Sequence, residues 1–258
     1  MNDTIIGQTL AWLTDPANWS GAAGIPVRLG EHVLVSGVAL VLATLVGLPI
    51  ALVLGHLGRG GGLASAVANI GRAVPTLAIL VILALSPAPF GITAPVTNTI
   101  LALVLFAIPP ILTNAYAGMR AVDADLVEAA RGMGLTPSQV LFRVELPLAV
   151  PLVVAGLRIA SGQVIATATI AAFIVGPGLG RFITAGLGTQ DTAQFVGGAV
   201  LVALLAILVE VGFQLLQRAV APVKEGRGVA DVEEPVGAGR GLGAPAQDRR
   251  ATMPSGRH

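Results

Sequence analysis

The sequence contains no cysteine, a single lysine and ten aromatic side chains in 258 residues. Without cysteine there are no disulfides, thiolate metal sites or cysteine nucleophiles. The lysine, Lys224, is followed by Glu225 and lies outside any Gly-x4-Gly-Lys-Ser/Thr pattern, so the chain has no phosphate-cradling loop of its own. The aromatics are scattered, too sparse to build the cage of ring faces that usually holds a quaternary ammonium. No His-Glu-x-x-His, Gly-x-Ser-x-Gly or paired carboxylate cluster occurs either, which leaves no basis for enzyme chemistry. Charged residues make up only 11% of the chain, hydrophobic ones 54%, and the mean hydropathy is +0.83. A soluble fold of that composition would lack the polar surface to cover itself. No Asp, Glu, Lys or Arg lies between Arg72 and Arg120, a stretch long enough to cross a bilayer twice. These are the marks of an integral membrane protein. The net charge of +1 carries no nucleic-acid footprint.

Apolar runs of spanning length predict an all-α membrane fold with about five core transmembrane helices. They run approximately from His32 to Leu57, Leu63 to Leu85, Pro95 to Met119, Pro151 to Val175 and Phe195 to Leu216. Residues 1–31 form an N-terminal segment predicted to lie in the membrane interface, anchored by Trp12 and Trp19, with a sixth span there as the alternative. The transmembrane domain is then 32–220. The tail 221–258, dense in Gly, Pro and Arg, is predicted to be disordered, with Arg249 and Arg250 free to touch anionic lipid. His56 and Arg59, then Arg120, Arg131 and Arg143, then Arg218, Lys224 and Arg227 fall on one side of the five spans. That side is expected to be the cytoplasm, which puts the C-terminus inside and the N-terminus outside.

The loop between the third and fourth spans, 122–147, is too long and too patterned for a connector. Asp125 and Glu128 have the spacing of a helix start, and Gly134 that of a left-handed residue that stops it. Thr136, Pro137, Ser138 and Gln139 restart a helix with a capping hydroxyl, a first-turn proline and a Gln at the third position. Pro147 and Pro151 are expected to end it. Leu126, Ala129, Ala130 and Met133 fall at helical spacing and form a small apolar face in need of a partner.

Glu128, Ala129, Ala130, Gly134, Val144, Leu146 and Pro147 together resemble the EAA loop of permease subunits of ABC-type, binding-protein-dependent importers. The resemblance implies a coupling helix docked on a cytoplasmic ATPase, with Asp125, Glu128, Ala129, Ala130, Met133, Gly134, Thr136, Leu146 and Pro147 as its docking residues. It implies no cofactor in this chain, ATP and Mg being held by the ATPase subunits. A second permease, identical or related, and an extracytoplasmic binding protein are the other implied partners, besides membrane lipid. The stretches LTDPANW (Leu13 to Trp19), GIPVRLGEH (Gly24 to His32), VELPLAVPLVVAGLRIA and AAFIVGPGLG (Ala171 to Gly180) are similar to permeases that import glycine betaine, carnitine, choline or proline. Pro177, where a small residue is expected, departs from that pattern. The alternatives are an importer of another small solute such as methionine or another amino acid, and an ion-coupled secondary transporter. The latter calls for duplicated halves and intramembrane carboxylates, whereas Glu210 is the only carboxylate within a predicted span.

Polar groups in a bilayer tend to face the bundle interior. Asn114, beside Pro109 and Pro110, and Gln163 and Thr167, one turn apart, are therefore candidates for a translocation path, with helix packing as the competing role. Arg158 and Glu210 are candidate gating charges, or simply pair with each other.

Overall fold

A computed structural model describes residues 4–86, 94–174 and 176–220. The tail 221–258, with its predicted disorder, lies outside the described residues. Among those described the fold is all-α, without strands.

Helix α1 (Ile5–Thr14) is capped by Thr4, whose hydroxyl accepts from the Gly7 amide at 3.2 Å. It ends at Asp15, which caps a single 3-10 turn over Pro16–Trp19. Ten helical residues reach about 15 Å, half a bilayer core, so α1 is no sixth span. Trp12 packs against the helices that follow. Its ring meets Phe182 edge-on at 5.2 Å between centroids and covers Gly197 of the last helix, while Trp19 stays half exposed.

Helix α2 (Ile25–His56) starts at Ile25 rather than His32. Gly24 is extended, Pro26 supplies a preset first turn, and Arg28 and Glu31 pair one turn apart at 2.9 Å. Paired charges at a helix end do not stop it, whereas a charge-counting boundary treats them as outside. The second predicted span is two helices, α3 (Gly61–Ala73) and α4 (Thr76–Ala84), bent by 79°. Pro75 is the cause: it has no N–H to donate, and it forces Val74 out of the helical region to ψ 126°.

Helix α5 (Ala94–Arg120) holds Pro109 and Pro110 within its length. The loop helix α6 (Ala124–Gly132) and the one-turn α7 (Pro137–Val140) follow, and a π-helical turn, Leu141–Glu145, leads into α8 (Leu146–Ala171). The run Pro137–Ala171 is unbroken, so Pro147 and Pro151 do not end the restarted helix as expected. The wider π turn moves upstream carbonyls away from the Pro147 ring, which then falls in the first turn of α8, where a missing N–H costs least. Helix α9 (Gly180–Thr189) and the long α10 (Thr192–Val220) are the last of the described helices. Among the described residues four helices are long and apolar enough to cross a membrane, and the bent α3–α4 pair is the fifth candidate.

The core lies where α2, α5 and α8 meet. Ala39 and Ala43, Leu103, Ala107 and Ile111, and Ala160, Val164 and Ala168 each recur at four-residue spacing along one face. Small residues set the helix spacing, because bilayer helices associate by close packing rather than by expelling water. A Cβ on Gly156 would stand 2.8 Å from the Asn114 Cβ and 3.0 Å from the Pro110 carbonyl oxygen. Helix α10 packs on α8 and α9 along one side and leaves Leu204, Leu208, Val211 and Leu215 bare along the other.

Candidate functional site

The loop helix is built from its ends. Asp123, two residues before the expected start, is the N-cap, its carboxylate accepting from the Asp125 amide at 2.9 Å. At the other end Gly134 has φ +84°, its amide donating to Arg131 O at 2.9 Å and that of Leu135 to Ala130 O at 3.3 Å. Those two bonds are a Schellman stop. Thr136 and Gln139 then form a reciprocal capping box, with the Thr136 amide donating to Gln139 Oε1 at 2.9 Å. The predicted apolar face splits. Leu126, Ala129 and Met133 point outward, Met133 being 76% exposed, while Ala130 is buried. Asp125, Glu128, Gly134, Thr136 and Pro147 are exposed, and Leu146 is half-buried. Phe142, on the π turn, is also 61% exposed and went unnoticed in the sequence.

The loop is tied to α2 by a pair that spacing alone does not reveal. His56, the last residue of α2, donates from Nδ1 to the buried carboxylate of Glu145 at 2.5 Å. Glu145 is the variable position of the aliphatic-x-Leu-Pro ending. A crevice beside this pair is lined by Arg120, Val127, Glu128 and Arg131, so α6 faces the end of α2 on one side and solvent on the other.

At the opposite end of α2 a second clasp holds the turn after α8. The Gly178 amide donates to Glu31 Oε2 at 3.0 Å, the same oxygen that takes Arg28. Gly178, at φ +103°, lies over the fully buried His32, where an added Cβ would come within 2.8 Å of Nδ1. Sequence reading placed Glu31 and Gly178 in similar stretches without joining them.

Within the bundle, Asn114 and Gln163 line one pocket between α3, α5 and α8, together with Ala68, Gly71, Thr113 and Ile159. Thr167 does not; it is buried in α8 packing. The gating candidates pair: Arg158 Nε lies 3.2 Å from Glu210 Oε1, and Arg158 also donates to Gln217 Oε1 at 3.0 Å. Gln217 was not foreseen. No cluster of metal-ligating side chains occurs among the described residues.

Residues 43–223 match the family model of the binding-protein-dependent transport system inner membrane component. The chain is 36% identical over 196 residues to the choline transport system permease protein OpuBB of Bacillus subtilis, covering 74% of this chain and 86% of that one. It is 35% identical over 199 residues to the glycine betaine/carnitine/choline transport system permease protein OpuCB of the same organism, covering 76% and 88%. Among solved structures, the MetNI methionine ABC transporter in inward-facing conformations matches with a TM-score of 0.68 at 25% identity, over 81% of this chain and 100% of that one. A bundle of apolar helices around an EAA-type loop, together with matches over most of its length, makes this chain a member of the inner-membrane permease family of binding-protein-dependent ABC transport systems.

Proposed function

We propose that the chain is the permease of an ATP-driven importer for small quaternary amines of the choline, glycine betaine and carnitine kind. The observation that carries this is its similarity, at 35–36% identity over about three quarters of its length, to permeases named for those solutes. The likeness to a methionine transporter, at 25% identity, supports the shared fold more than a shared solute. The cluster His56, Arg59, Arg120, Arg131 and Arg143 supports a cytoplasmic loop and an outside N-terminus. There the outward row Leu126, Ala129 and Met133, flanked by Glu128, is the surface for a cytoplasmic ATPase. The importer is completed by a second permease and an external binding protein that supplies the high-affinity step, since this chain has too few aromatics for a cage. ATP and Mg belong to the ATPase. Closure of the ATPase pair moves α6, and the His56–Glu145 pair and the unbroken α7–α8 run pass that movement to α2 and α8.

The test is uptake of labelled choline, glycine betaine, carnitine and proline by cells deleted for this chain and complemented with wild type or Gly134→Pro. Proline cannot adopt the positive φ of Gly134. Rescue by wild type alone is expected. Normal uptake with Gly134→Pro would remove the coupling role, and no uptake of any of the four would remove the solute class.

A further inference from the structure

The pocket between α3, α5 and α8 has a volume of about 280 Å3, just under the range of roughly 300–1,000 Å3 usual for drug-sized ligands. It lies beside Ile159, near the middle of α8, with Asn114 toward the loop end of α5. Among the described side chains none that is charged or aromatic lines it. Its polar wall is Thr113, Asn114 and Gln163. Two of these are partly spent on the proline-interrupted stretch of α5: Thr113 Oγ1 donates to Pro109 O at 2.8 Å and Asn114 Nδ2 to Pro110 O at 2.8 Å. Their oxygens remain free to accept. Gln163 makes no hydrogen bond with any described residue, and an unpaired amide halfway through a bilayer helix is costly unless water or a ligand meets it. The opposite wall is Ala68 and Gly71 of α3, where a Cβ on Gly71 would meet the Pro109 ring at 2.7 Å.

We propose that this pocket is an intramembrane resting site for a small onium solute, held by the Asn114, Gln163 and Thr113 oxygens. The proposal rests on the reading above and adds where the solute pauses. A quaternary ammonium has no N–H to satisfy, so acceptor dipoles at its surface suffice, and its carboxylate or hydroxyl end takes the Gln163 amide hydrogens. A hold by amide and hydroxyl dipoles is weak, as a transit site needs, because tight binding would stop release.

The natural absence of cysteine makes the test clean. Gln163→Cys, Ala68→Cys and, as a lipid-facing control, Leu208→Cys are placed singly in the full transporter with its ATPase and binding protein, in proteoliposomes. Each is treated with a trimethylammonium-ethyl thiosulfonate and, separately, with its sulfonate-bearing counterpart, and labelling is followed by mass spectrometry. Positions 163 and 68 are expected to react and 208 not, the cationic reagent the faster, with choline or glycine betaine slowing it about fivefold, equivalent to about 1 kcal/mol of competition. The proposal is overturned if neither 163 nor 68 reacts, or if solutes that wild type imports do not slow the reaction. If wild type imports none of these solutes, the functional reading fails separately. The site then stands if 163 and 68 prefer the cationic reagent and falls if they do not.

Discussion

Gly186 and Gly188 stand two residues apart in one short helix, and nothing in Gly-Leu-Gly-Thr tells them apart. A Cβ on Gly186 would come within 2.5 Å of the Phe195 backbone nitrogen, which cannot move aside, whereas one on Gly188 would meet nothing within 4 Å. Gly186→Ala is therefore expected to destabilise by about 1–3 kcal/mol. Gly188→Ala is expected to be neutral or to stabilise by up to about 1 kcal/mol by removing backbone freedom. Thermal unfolding of the purified permease in detergent checks both. Equal effects would show that the approach of α9 to α10 is not as described. At Gly134 and Gly178 the requirement is conformational, a positive φ. Gly134 was legible because helix-cap residues precede and follow it in order. Gly178 was not, because its partners Glu31 and His32 lie far away in sequence, and long-range pairing leaves no local spacing signal.

The helical elements divide into those that local chemistry announces and those that depend on backbone hydrogen bonding. The caps of α6 and α7 could be read directly, since Thr136, Pro137 and Gln139 each satisfy a free donor of a first turn or lack one. Hydropathy alone missed the break at Pro75, because a window average sees Leu, Ile and Val on both sides and no lost N–H. The proline at 147 suggested an end to a helix that a π turn carries through. Pro75→Ala restores the missing donor and is expected to straighten the α3–α4 bend and lower uptake about tenfold or more, a barrier change of about 1.4 kcal/mol; normal uptake would make the bend incidental. The His56–Glu145 link is a contact between elements, and its energetics are measurable. Replacing His56 alone by Ala is expected to cost about 3 kcal/mol, since the buried Glu145 would lose its partner, and replacing Glu145 alone to cost less, since the imidazole left behind can be neutral. The double replacement should cost less than the sum by on the order of 1 kcal/mol or more. Additive effects in the unfolding of the four proteins would show that the two side chains do not communicate.

For the whole molecule, the scarcity of charge made the fold class plain, and the asymmetry of Arg placement gave its proposed orientation. What composition could not supply is which polar side chains meet. Asn114 and Gln163 converge on one pocket and Thr167 does not, although the sequence offers all three on equal terms. Arg158 and Glu210 pair across α8 and α10, which favours a structural role, so replacing both by Gln is expected to leave more uptake than replacing Arg158 alone, where Glu210 keeps an unneutralised charge. The proposed function is the movement of small quaternary amines under the drive of an ATPase docked on α6. ATP-dependent uptake of labelled choline and glycine betaine into proteoliposomes, with wild type or Glu128→Lys beside the same ATPase and binding protein, tests it most directly. Wild type is expected to show uptake that needs ATP, and Glu128→Lys a loss of about tenfold or more while the variant still inserts. Uptake by wild type that proceeds without ATP, or is undiminished in Glu128→Lys, would contradict it.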